Sequence, residues 1–142
     1  MNYFQQFQQA EADIAKQHGE FVLFGLFERS DFLGKYDVVV SAKWLKDDRA
    51  SLGLIIDLVT AAIGNQKWWS SIGRFDIVPT NGPFLDVLRE AMPDGPIQHS
   101  LTRITNIYYE GNMIPSAMII TAANPSSKNV VSEDTKAEAI AA

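Results

Sequence analysis

Residues 20–45 read EFVLFGLFERSDFLGKYDVVVSAKWL, and this stretch decides the fold. Residues 21–27 are almost wholly apolar, and residues 36–42 carry three consecutive valines, Val38, Val39 and Val40. β-Branched and aromatic residues favour extended backbone. Both runs are short and continuous rather than alternating, so both are expected mid-sheet with each face covered. The connection, residues 28–35, holds one glycine and four charges, Glu28, Arg29, Asp31 and Lys35, with Asp37 just beyond.

Working outward, residues 2–18 form an amphipathic pattern, with Tyr3, Phe7, Ala10 and Ile14 on one helical face. Glu11 falls among the polar residues assigned to the other faces, and His18 and Gly19 mark the helix end. Asp47 or Asp48 is placed to cap a helix reaching residue 63, with a broad apolar stripe from Leu52 to Ile63 that asks for two packing partners. Gly64 ends it. Residues 74–79 read as a short strand, and Pro83 opens a helix with Phe84, Leu85, Leu88 and Met92 inside. Residues 98–109 and 113–122 predict a hairpin over Glu110-Gly111-Asn112, with Pro115 at an edge or bulge because it lacks an N–H. The expected architecture is α/β: a mixed sheet of about five strands, helices packed on it, and a C-terminal β-hairpin. Residues 1–123 are expected to make one domain and 124–142 a flexible tail without apolar periodicity.

The chain has 142 residues, no cysteine and a formal net charge of −5. Disulfides, thiol nucleophiles and thiolate metal sites are thereby excluded, and a cytoplasmic location is the expectation. No leader or membrane span is expected from the apolar pattern. Net acidity disfavours nucleic acid, whose binding draws on phosphate neutralisation.

Leu23-Phe24-Gly25, followed by Asp37-Val38-Val39-Val40 and then Arg74-Phe75-Asp76-Ile77-Val78, resembles the minimal nucleotidyltransferase superfamily. The resemblance covers about residues 21–92, including Leu88-Arg89-Glu90-Ala91 on its last helix. It implies that Gly25 lies against nucleotide phosphates, that Asp37 and Asp76 are catalytic and bind Mg²⁺, and that the two aspartates are neighbours in space. The chain departs from that pattern at two places: Leu26 stands for the serine, and Val39 or Lys35, depending on which aspartate Asp37 matches, stands for the other strand aspartate. The pattern is that of a degenerate member. A nuclease-like arrangement of Asp37 with Lys43 has Ser41 where a glutamate is needed.

Two functional expectations follow. The first is a non-catalytic protein-interaction domain, of antitoxin or immunity type, with a basic protein partner, no cofactor, and Trp44, Trp68 and Trp69 as anchors. The second is an active metal-dependent nucleotidyl or phosphoryl transferase using Asp37, Asp76 and Mg²⁺. His18 reads as a helix-end charge and His99 as exposed or hydrogen-bonded.

Overall fold

The computed structural model describes residues 2–64, 70–92 and 95–123. In order, the elements are α1 (Tyr3–His18), β1 (Leu23–Glu28), β2 (Tyr36–Ser41), α2 (Arg49–Ile63), β3 (Ile72–Ile77), α3 (Pro83–Ala91), β4 (Thr102–Tyr109) and β5 (Asn112–Ala122). The expected tail lies outside the described residues, as do Trp68 and Trp69.

The strands form one mixed sheet in the order β3-β2-β1-β5-β4, in which β2 and β3 run parallel and the other pairs antiparallel. β1 is therefore the middle strand and β2 is flanked on both sides, as their continuous apolar runs require. Alternation along β1 sends Phe24 and Leu26 to one face and Leu23 and Phe27 to the other. The first face packs on α1 and α2 through Phe7, Ile14, Ile55 and Val59. The second packs on α3 through Leu85 and Leu88. The result is a three-layer α/β sandwich.

Local chemistry sets each helix end. Asn2 Oδ1 accepts from the Gln5 N–H at 2.9 Å, and Gln5 Oε1 accepts from the Asn2 N–H at 2.9 Å, a reciprocal capping box. Of the two aspartates before α2, Asp48 is the cap, accepting from the Ser51 N–H at 2.7 Å. Asp48→Ala should cost about 1 kcal/mol of stability, read as a shifted urea midpoint with an unchanged slope. α2 buries Ile55 and Val59 fully, while Leu54 at the margin of the broad stripe is 40% exposed. The stripe is wider than the surface that α1 and the sheet offer.

Glu110 (φ 51°) and Gly111 (φ 79°) make the hairpin turn, and Asn112 already pairs with Tyr109. The turn thus has two central residues, not the expected three. Positive φ at both positions suits the twist of the flanking strands. Pro115 lies past the last β1 pairing, opposite Asn106 (φ 53°), and that pair is missing from the β4–β5 ladder. A proline without a donor is accommodated there.

Two bulges re-aim side chains. In β5 the register shifts between Phe24↔Thr121 and Gly25↔Ile119, leaving Ile120 as the extra residue. Ile120 joins the core under α1, and Thr121 also reaches α1, where its hydroxyl meets Glu11. In β3 the register shifts between Tyr36↔Ile72 and Asp37↔Arg74, leaving Gly73 as the extra residue.

Candidate binding groove

α3 covers the β1, β5 and β4 side of its face of the sheet and leaves the β2–β3 side open. Asp37 and Val39 point to that face from β2, as do Arg74 and Asp76 from β3, because residues two apart share a face. A groove of about 520 Å³ opens over them. Its walls are the end of β1 with residues 29–31, the start of α3 at Gly82, Pro83 and Phe84, and the hairpin end at Tyr109 and Asn112–Ile114. Phe84 packs its ring against Phe27 at 5.5 Å and Tyr109 at 5.0 Å, making an aromatic wall.

The floor is a row of alternating charges. Arg29 donates Nε to Asp31 Oδ1 at 3.0 Å, Nη2 to Asp31 Oδ2 at 3.2 Å, and Nη1 to Asp37 Oδ1 at 3.3 Å. Arg74 Nε lies 3.4 Å from Asp37 Oδ2 and 3.0 Å from Asp76 Oδ2. Arg29 holds the Asp31 carboxyl below the usual range. Asp37 behaves differently, since burial pushes its carboxyl upward and the nearby Asp76 charge adds to that, against the pull of both arginines.

Asp37 and Asp76 thus come together, as expected, but around a guanidinium. A divalent hard cation takes about six oxygen ligands and needs more than two carboxylates against an anionic substrate. Among the described residues no group of three or more His, Asp or Glu is placed to hold a metal. The residues here do not fit a two-ion magnesium centre.

Gly25 is not part of the groove lining. It is buried in the middle strand, paired on both sides, and the space above its Cα is filled by Phe27 and Ile119. The glycine makes room for core side chains rather than for phosphate. Trp44 also lies elsewhere. Its Nε1 donates to the Gly19 carbonyl at 2.9 Å, and its ring stacks on His18 at 5.4 Å and leans on Phe21 at 5.3 Å. It closes the junction of α1 and β1.

The sequence pattern assigns Arg29 and Arg74 no role at this site and does not single out Gly73, the bulge residue behind their ion pairs. A Cβ on Gly73 would lie 2.8 Å from both Arg29 Nη1 and Asp37 Oδ1. The bulge glycine therefore leaves the space in which that ion pair sits. A glycine before a charged strand residue, Gly73-Arg74, is the readable signal for such a close approach.

A second polar cluster ties α1 to the sheet. Glu11 is fully buried, against the expectation of a polar outer face. Its Oε1 meets His99 Nδ1 at 2.5 Å and its Oε2 accepts from Thr121 Oγ1 at 2.7 Å. His99 Nε2 lies 3.1 Å from Glu20 Oε1, the Gln8 amide donates to the His99 carbonyl at 3.0 Å, and the His99 N–H donates to Thr121 Oγ1 at 3.1 Å. A buried carboxylate is tolerable only with such partners. Both ring nitrogens of His99 face carboxylates, which suits a clasp and leaves neither as a free base.

No family model, curated protein or solved structure matches this chain. Among the described residues no helix is long and apolar enough to cross a membrane. The class defined here is a three-layer α/β domain with a mixed-charge groove at the open half of one sheet face.

Proposed function

We propose that this chain is a non-catalytic protein-interaction domain, a degenerate relative of the nucleotidyltransferase-like core, that binds a basic partner through the groove. The observation that carries this reading is Arg74 Nε between Asp37 and Asp76, at 3.4 Å and 3.0 Å. A guanidinium occupies the centre of the only acidic pair that the resemblance assigns to metal. The exposed Phe32 and Leu33, which follow the groove-lining residues 29–31 in the chain, add apolar contact area of the kind partners cover. The net charge of −5 suits fast association with a basic protein, the situation of an antitoxin or immunity protein.

Calorimetry with Mg²⁺ or Mn²⁺ and nucleoside triphosphates tests the reading. The expected result is no saturable heat, with metal and nucleotide together or alone. Saturable metal-dependent nucleotide binding that Asp37→Asn abolishes would establish the transferase instead.

A further inference from the structure

We infer that the groove seats an arginine side chain of the partner, flanked by an apolar residue, and that Arg74 is the displaceable occupant of that seat. This rests on the interaction-domain reading and deepens it.

The lining carries four carboxylates, Glu28, Asp31, Asp37 and Asp76, against two guanidiniums, Arg29 and Arg74. Their engagement is unequal. Glu28 accepts from the Gly34 N–H at 2.9 Å and from Ser116 Oγ at 3.1 Å. Arg29 spends Nε and Nη2 on Asp31 and Nη1 on Asp37. Arg74 engages both of its carboxylates through Nε, and its side chain is 63% exposed. Its pair with Asp76 is exposed on both sides and contributes little, because water screens it and two side chains lose freedom, while the less exposed Asp37 keeps Arg29 as a second partner. Arg74 can therefore rotate out at small cost, whereas Arg29 is held.

What it vacates is a pair of carboxylates with surplus negative charge in a groove with aromatic and aliphatic walls. A planar guanidinium offers parallel N–H donors to such carboxylates, which an ammonium cannot match in geometry. Its methylene stem would lie along Phe27 and Phe84, and an adjacent apolar side chain would meet Met113 and Ile114. The surplus charge excludes an acidic ligand from the same place.

The probes are the peptide acetyl-Phe-Arg-Leu-amide, its citrulline isostere and its glutamate analogue, followed by amide and side-chain shifts in nuclear magnetic resonance titrations. The arginine peptide should give saturable shifts at Asp37, Arg74, Asp76 and Phe84, and neither of the others should. Asp76→Asn and, separately, Asp37→Asn should weaken it about tenfold or more, as loss of one partner of a close charge pair does. Arg74→Ala should tighten it roughly fivefold, the worth of removing one exposed competitor. Equal binding of the citrulline peptide, or weaker binding in Arg74→Ala, overturns the inference. Saturable shifts confined to another surface overturn the seat while leaving the interaction-domain reading standing. Metal-dependent nucleotide binding in the calorimetry would remove both.

Discussion

Replacing His99 by alanine should destabilise the fold by about 2–3 kcal/mol, somewhat below the ~3–5 kcal/mol of breaking a fully enclosed ion pair, because the imidazole is partly open to screening water. The cost arises in Glu11, not in His99. The Glu11 side chain is 0% exposed, whereas that of His99 is 34% exposed. Removing the imidazole leaves a carboxylate in the core with Thr121 as its remaining donor. The backbone bonds of residue 99 to Thr121 Oγ1 and to the Gln8 amide survive in alanine, so the loss is that of the imidazole alone. Urea unfolding should show a lowered midpoint.

This loss should depend on pH. Burial lowers the proton affinity of His99, but the hydrogen bond and charge of Glu11, joined by the charge of Glu20, outweigh it and raise the imidazole above its ordinary value. A raised histidine stabilises the fold in full below its unfolded pKa of about 6.5, and that contribution fades as pH rises through the folded value. The stability gap between wild type and His99→Ala should therefore be widest near about pH 6 and narrow as the pH climbs past the raised folded value. Glu11→Gln gives an independent check, since it removes the charge while keeping a group for Thr121. The His99 titration followed by proton resonance should then move downward. A gap that stays constant across that range would contradict the charged clasp and leave only a neutral hydrogen bond.

The clasp also marks where the sequence stops being readable. Glu11 sits in register with Phe7, Ala10 and Ile14, yet a glutamate in a glutamine-rich helix reads as solvent-facing. Its partner His99 is 88 residues away, and no local period can bring the two together. β1, β2 and the hairpin were legible because continuous apolar runs and a Glu-Gly turn carry their instructions within a few residues. The sheet order is a different matter, because β5 inserts beside β1 through long-range packing. The groove was half legible. The positions of Asp37 and Asp76 on parallel neighbours follow from strand runs separated by a helix. The arginines between them did not follow, since surface arginines near aspartates are common and only the Gly73 bulge brings Arg74 opposite Asp37.

Gly25 offers the second large effect. A built Cβ lies 2.9 Å from Phe27 Cε1 and 3.1 Å from Ile119 Cδ1, both in the core under α3. Those atoms are side-chain ends and yield a little, so Gly25→Ala should be close to neutral, overpacking being offset by about 0.5–1 kcal/mol of reduced backbone freedom in the unfolded chain. Gly25→Val adds two methyl groups that must displace Phe27, and through it Phe84 on the groove wall. It should cost about 3 kcal/mol, the upper end for inserting methyl groups into a packed core. The pair of variants separates packing from ligand contact. A glycine that met phosphate would respond to alanine with lost nucleotide binding and unchanged stability. A glycine that makes room for core rings responds to valine with lost stability, and the arginine peptide should bind the alanine variant as it binds the wild type. Unfolding curves that superimpose for glycine, alanine and valine would mean that the core above the middle strand is not packed as described.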